Sequence, residues 1–237
     1  RVPPARAPAR RTPLKLAARM SCLHPRQALW LCLAALGGFF VVSGLLVVSR
    51  ASSFDALVFE WAAGYRASPL GRLLAMASPL GSPAVLVGVA MGATAALAIA
   101  RAWWRTLLPV PALLVAYGGN LLLKCTFLRE RPVQDAIGAV FSACDVYAFP
   151  SAHAMVGGAL YGVLACIALG FRTAAGRIVA GVLALAALAG GASRVVTGVH
   201  WASDVIAGWL MGATLVALVA LTWHGLARWA TSKGHPM

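Results

Sequence analysis

Between two long apolar runs near the C-terminal end lies the stretch Ser193-Arg194-Val195-Val196-Thr197-Gly198-Val199-His200-Trp201-Ala202-Ser203-Asp204. It gathers hydroxyls, a guanidinium, an imidazole and a carboxylate in a chain that has few of them. His200 and Asp204 are four positions apart, so on a helix they share one face and the carboxylate can orient the ring. The chemistry this suggests is a histidine nucleophile steered by an aspartate, with Arg194 nearby to hold an anion. Polar groups at the edge of a bilayer are costly to bury, which favours a functional reading. Taken alone, the stretch fits a polar loop between membrane helices equally well.

Two more clusters have related chemistry. In Lys124-Cys125-Thr126-Phe127-Leu128-Arg129-Glu130-Arg131-Pro132, Lys124 and Arg131 are seven positions apart. Two helical turns would project both cations from one face, with no acid opposite them. Pro132 disfavours helix at Arg131, which puts that guanidinium where the chain leaves the helix. Such a pair wants an anion, although a stop-transfer cluster or lipid-headgroup contacts would also account for it. In Pro150-Ser151-Ala152-His153, Ser151 is a natural helix N-cap, and free amides of a first turn bind anions. His153 at the same helix start could give a proton to a departing oxygen. An ordinary cap with an incidental histidine is the plainer reading of that cluster alone. Together the three clusters hold the parts of phosphoryl transfer through a phosphohistidine: a nucleophile, donors for the equatorial oxygens, and an acid for the leaving group.

In order and spacing, Lys124 with Arg131-Pro132, Pro150-Ser151-x-His153, and Ser193-Arg194 with His200 and Asp204 resemble the three signature motifs of the type 2 phosphatidic acid phosphatase superfamily. That family includes membrane lipid phosphatases and vanadium-dependent haloperoxidases. The resemblance implies that His200 forms the phosphohistidine, that Asp204 fixes and polarises it, and that His153 is the acid for the leaving group. Lys124, Arg131, Ser151 and Arg194 would bind the phosphate. Ala152 stands where the family usually has glycine; alanine keeps the N–H, so its amide is expected to serve.

The function implied is an integral membrane hydrolase of a lipid phosphomonoester or pyrophosphate. Undecaprenyl pyrophosphate, phosphatidylglycerol phosphate and phosphatidic acid are the candidate substrates, with a slight lean to the first. Two other classes stand beside this reading: a vanadate-dependent haloperoxidase relative and a non-catalytic lipid-binding or transport protein. No cofactor and no metal is expected. Apart from His200 with Asp204, none of the six acids is spaced for metal ligation with a histidine, and the gathered cations take the place of a divalent ion.

The elements that must position these groups follow from composition. Apolar residues make up 61% of the 237 and charged residues 11%, with mean hydropathy +0.83, the signature of a polytopic helical membrane protein. The net charge of +14 raises the question of nucleic acid, but the basic residues sit in short segments between apolar runs. The expected fold is all-α. Its six transmembrane helices are about Leu29–Val48, Leu80–Ala100, Thr106–Leu123, Ala154–Phe171, Ile178–Ala192 and Val205–Trp223, the fifth long enough only if it runs on into the polar motif. A short interfacial helix capped by Ser53 is expected between the first two. Its apolar stripe is Phe54, Leu57, Val58, Trp61 and Tyr65, with Asp55, Glu60 and Arg66 off that stripe.

Most basic residues, among them Arg19, Arg26, Arg101, Arg105, Arg172, Arg177 and Arg228, fall inside if both termini are cytoplasmic. All three clusters then meet on the outer, periplasmic face of a cell membrane, open to a lipid substrate from the bilayer. The domain reading is a basic cytoplasmic tail over 1–26 that includes Met20 as an alternative start, a membrane domain over 27–230, and a tail over 231–237.

Other features are less committal. Cys22 is expected in the tail and Cys32 and Cys166 in spans. Cys125 and Cys144 lie at the outer face, where they either pair or remain part-buried thiols. Trp103, Trp104, Trp223 and Trp229 read as interfacial anchors, and Val133 to Phe149 as a candidate for headgroup selectivity. Asn120 beside Gly118 and Gly119 fits close helix packing or substrate contact. His24, His224 and His235 receive no chemistry.

Overall fold

Serine and proline mark where the apolar runs become helices. In the computed structural model, which describes residues 23–48, 53–133 and 142–232, the elements in order are α1 (Pro25–Val48), α2 (Ser53–Tyr65), α3 (Pro69–Ala75), a tight turn Ser78–Gly81, α4 (Pro83–Ile99), α5 (Trp103–Thr106), α6 (Pro109–Phe127), a tight turn Ala143–Val146, α7 (Ala152–Gly170), α8 (Ala174–Val196) and α9 (Ala202–Ser232). The expectations for the N-terminal tail, Met20, Cys22, His235, the C-terminal tail from Lys233 and the middle of the Val133–Phe149 segment lie outside the described residues.

Ser68 accepts from Gly71 N–H ahead of Pro69, Ser82 from Val85 N–H ahead of Pro83, and Thr173 from Gly176 N–H. Each supplies an acceptor to a first-turn amide that has no helical partner. Proline at the first helical position removes such an amide altogether.

Among the described residues, five helical segments are long and apolar enough to cross a membrane: Pro25–Val47, Trp103–Phe127, Ala152–Gly170, Ala174–Val196 and Ala202–Trp229. The expected second span is broken. Pro69–Gly81 and Pro83–Ile99 meet at 60°, and together they make a sixth candidate. Pro79 and Pro83 explain the break, because proline leaves a backbone carbonyl without its helical donor. The expected fifth span does run on into the polar motif, since α8 ends only at Val196 and has Ser193 and Arg194 in its last turns.

The most buried span is α7. Its Val156, Leu160, Val163, Leu164 and Ile167 pack with Leu86 and Ala90 of α4 and Leu113 and Ala116 of α6. On its other side α9 comes very close. A Cβ on Gly208 would lie 2.7 Å from Ala154 Cβ and 2.8 Å from the Ser151 carbonyl oxygen, so only glycine permits the approach. Gly208 is one turn beyond Asp204, and the tight contact seats that carboxylate against the start of α7.

Helix α2 departs from the sequence expectation in one respect. Phe54, Leu57, Trp61 and Tyr65 are exposed, as an interfacial stripe should be, but Asp55 turns inward and is 1% exposed. Trp103, Trp104 and Trp229 are exposed as anchors would be, whereas Trp223 is buried. Asn120 is a packing residue. Its Nδ2 donates to the Pro150 carbonyl (3.0 Å) and touches Met155 Sδ (3.6 Å), tying α6 to the entrance of α7.

Candidate active site

After α8, Gly198 takes a left-handed φ of +77°, a conformation glycine adopts without steric cost. The turn lets Val199 N–H and His200 N–H both donate to the Arg194 carbonyl (3.1 and 3.2 Å), folding the segment back on the last turn of α8. His200 therefore precedes α9 rather than sharing a helix face with Asp204. The two meet because Asp204, in the first turn of α9, reaches back: its Oδ2 accepts from Trp201 N–H at 2.9 Å and lies 3.4 Å from His200 Nδ1. This is the back-reaching half of a capping box, in which a carboxylate at the third helical position takes the N–H of the residue ahead of the helix.

The other ring nitrogen, Nε2, lies 3.1 Å from Arg131 NH1. A guanidinium can only donate, so Nε2 presents its lone pair and Nδ1 carries the proton toward Asp204. His200 is 2% exposed. Burial, and then the cations Arg131, Arg194 and Lys124, push its pKa well below the usual histidine value, so the ring is neutral at neutral pH.

The first cluster is assembled differently from the sequence expectation. Helix α6 stops at Phe127, and Leu128 takes the left-handed conformation at φ +48°. Lys124 is in the last turn while Arg131 lies beyond the helix, so the two cations do not share a helical face. They converge instead on Asp145. Lys124 Nζ donates to its carbonyl oxygen (3.3 Å) and lies 3.4 Å from its Oδ1, and Arg131 NH2 donates to the same carbonyl (2.9 Å). Arg131 Nε adds a bond to the Val146 carbonyl (3.0 Å), and Tyr117 OH donates to Asp145 Oδ2 (3.2 Å). An acid therefore does stand opposite Lys124. The turn that holds it is fastened to α6 by a Cys125–Cys144 disulfide with a Cα separation of 5.3 Å, which settles the open question about those cysteines.

In the second cluster Ser151 occupies the N-cap position of α7, but its hydroxyl makes no capping bond. Its N–H donates to the Asp204 carbonyl (3.0 Å), and its Oγ is buried with no hydrogen-bond partner among the described residues. Ala152 opens the helix. His153 packs on Gly81, where a Cβ would sit 2.5 Å from the ring. It lies within electrostatic range of Arg194, His200, Arg131 and Lys124. Arg194 NH1 donates to Ser78 Oγ (2.7 Å), while its Nε is buried with no partner among the described residues. The turn Ser78–Gly81 thus buttresses both His153 and Arg194. All eight residues expected from the sequence come into this one region.

The model of the PAP2 superfamily matches residues 105–228, more than half of the chain. The chain belongs to the PAP2 superfamily. A crystal structure of a transmembrane PAP2-type phosphatidylglycerolphosphate phosphatase from Bacillus subtilis has the same fold, with a TM-score of 0.66 at 23% identity over 85% of this chain and 96% of that one. No curated protein sequence matches the chain.

The PAP2 match begins in α5, so α1 to α4 lie outside it, yet α2 and the Ser78–Gly81 turn both reach the PAP2 motifs. Arg129, which sequence reasoning left as an ordinary outer charge, donates through NH1 to Ser203 Oγ (2.8 Å) and Asp204 Oδ1, and through NH2 to Asp55 Oδ2 (2.7 Å). Asp145, Asp55 and Ser203 were missed in the same way. The available signal was scarcity, since the chain has only six acids and two of these are among them. Beside the PAP2 motifs a cavity of about 710 Å³ is lined by Leu46, Val47, Phe127 and Phe149 on its apolar side and by Asp55, Arg129 and Arg131 on its polar side.

Proposed function

We propose that this PAP2 protein hydrolyses a phosphomonoester or pyrophosphate of a membrane lipid through a phosphohistidine on His200, without a metal ion. The observation that carries the proposal is the pairing around His200: Arg131 at Nε2 and Asp204 at Nδ1, with Ser151 Oγ and Arg194 Nε buried nearby without protein partners. Buried polar groups without partners are costly, and a phosphate oxygen would satisfy both of these.

In the proposed sequence, Lys124, Arg131, Arg194, Ser151 Oγ and the Ala152 amide hold the phosphate oxygens. His200 Nε2 attacks phosphorus, the bond to the leaving oxygen breaks, and His153 gives that oxygen its proton. Asp204 stabilises the imidazolium-like ring that forms at Nδ1–H. Water then attacks the phosphohistidine, His153 takes its proton, and inorganic phosphate leaves. The clustered cations supply the charge stabilisation a divalent ion would otherwise give.

The cavity between α1 and α2 supports access from the side, with the lipid tail against Leu46, Val47 and Phe149 and the phosphate toward Arg131. The charge bias supports six spans, both termini cytoplasmic and an outward-facing site. Undecaprenyl pyrophosphate, phosphatidylglycerol phosphate and phosphatidic acid form the substrate panel. The Bacillus subtilis structure of the same fold is described as acting on the second.

The test is phosphate release from this panel by purified protein in detergent with EDTA present. Release by the parent protein and background release by His200→Ala is the expected result. No release from any lipid on the panel, or undiminished release by His200→Ala, would overturn the proposal.

A further inference from the structure

The two oxygens of Asp204 face different partners. Oδ2 receives Trp201 N–H and faces His200 Nδ1, while Oδ1 is held by Arg129 NH1. Rotation of the carboxylate away from His200 would therefore also have to break the Arg129 contact. Arg129 is fixed in turn by Asp55, whose Oδ2 accepts from Arg129 NH2 (2.7 Å) and from Ser203 Oγ (2.6 Å). Asp55 Oδ1 accepts from Ser203 N–H (2.9 Å), one residue from Asp204. The side chains are nearly or wholly out of solvent, at 12% exposure for Arg129, 2% for Asp55 and 0% for Asp204.

Two buried carboxylates would repel across this short distance, and a planar guanidinium is the side chain that can bond both at once. Burial works to raise the Asp55 pKa, but the bonds from Ser203 and Arg129 outweigh it and hold the carboxyl below its usual value, so Asp55 faces Arg129 as a carboxylate. The other end of the same segment is also tied to α2. Arg66, just past the end of α2, donates through Nε to the Val196 carbonyl (2.8 Å), where α8 gives way to the nucleophile loop. Phe59 of α2 packs on Trp201 between these two anchors, with ring centroids 5.6 Å apart.

We propose that Arg129 and Asp55 are positioning residues for the Asp204–His200 pair, and that α2 holds the nucleophile segment through them. Arg129 falls at a position of the first motif that carries no assigned role, and Asp55 is on α2, outside the PAP2 match. Their effect is to fix the plane of the Asp204 carboxylate, and through it the tautomer and orientation of the His200 ring. The turnover consequence rests on the phosphatase reading. The geometric claim does not.

The experiment compares full-length parent, Asp55→Asn and Arg129→Lys in detergent by two readouts. Asp55→Asn keeps side-chain size and Arg129→Lys keeps the positive charge, and intact folding is checked by thermal unfolding. The first readout is lipid-phosphate turnover. A misaimed nucleophile lowers kcat about 10- to 100-fold with KM within about twofold, because the phosphate-binding cations are untouched. The second is the rate at which diethyl pyrocarbonate modifies His200, followed by mass spectrometry with His153 as internal reference. Loosening of the Asp204 carboxylate speeds modification of His200 several-fold and leaves His153 unchanged. If the parent releases no phosphate, the phosphatase reading falls and the modification rates alone decide the positioning claim. Folded variants whose His200 is modified at the parent rate would overturn it, as would equal speeding at His153 and His200, which marks general loosening.

Discussion

His200 Nε2 and Arg131 NH1 are in contact at 3.1 Å. The Arg131 guanidinium and the Nε2 lone pair therefore face the same small volume. In the proposed mechanism an anion bound by Arg131 meets the nitrogen that attacks it, and Asp204 holds the proton on the other.

Asp204→Asn keeps the side-chain volume but can turn an NH2 toward Nδ1, which favours the tautomer with its lone pair pointing away from phosphorus. Phosphate release should fall about 10²- to 10⁴-fold while the protein stays folded, by analogy with the same exchange in hydrolytic triads. Steady-state kinetics beside a thermal unfolding curve checks this.

In the proposed mechanism the neutral imidazole is the reactive form, and His200 is held well below the usual histidine pKa by burial and by Arg131, Arg194 and Lys124. The acidic limb of kcat/KM that His200 sets should therefore lie well below about pH 6.5, the ordinary value. The stability sign follows. Between the lowered folded value and about 6.5 the unfolded chain binds more protons at this residue than the folded chain does. The contribution of His200 is thus fully present above about pH 6.5 and is lost as pH falls toward the folded pKa. A pH series of kcat/KM, with unfolding midpoints from the same samples, tests both statements.

Gly81 is where His153 packs, and a Cβ there would lie 2.5 to 2.7 Å from the imidazole. Gly81→Ala should displace the leaving-group acid while leaving Lys124, Arg131 and His200 in place. Lipid phosphates, whose alkoxide leaving group needs a proton, should lose about 10²-fold in kcat. An aryl phosphate with a stable phenolate leaving group should lose much less. Equal losses on both substrates would contradict the role proposed for His153.

The Cys125–Cys144 bond closes a loop of sequence separation 19 and holds the turn that carries Asp145. Reduction, or Cys144→Ser, should cost about 3 kcal/mol by the loop-entropy relation, read as a lower unfolding midpoint. Asp145 anchors both Lys124 and Arg131, so KM for the lipid phosphate should rise more than kcat falls. Thermal unfolding and kinetics with and without reductant check the two effects.

The sequence by itself determined an all-helical chain with apolar runs of membrane-crossing length, and the three motifs. Apolar runs of span length and residue types at fixed spacing are local properties, which a sequence displays directly. Arg194 in the last turn of α8 and Ser151 at the start of α7 were legible for that reason.

Only tertiary structure decided how the motifs meet. Helical spacing placed Lys124 and Arg131 on one face, but α6 ends in a left-handed turn at Leu128, a residue type that gives no such signal, and Asp145 makes the junction instead. The clamp on Asp204 joins Arg129 to Asp55 across a sequence separation of 74. Such a pair depends on where packing delivers α2 against the start of α9, and no local pattern encodes that distance. The inward turn of Asp55 was invisible for the same reason: on an amphipathic helix an acid off the apolar stripe looks solvated until its buried partner is seen.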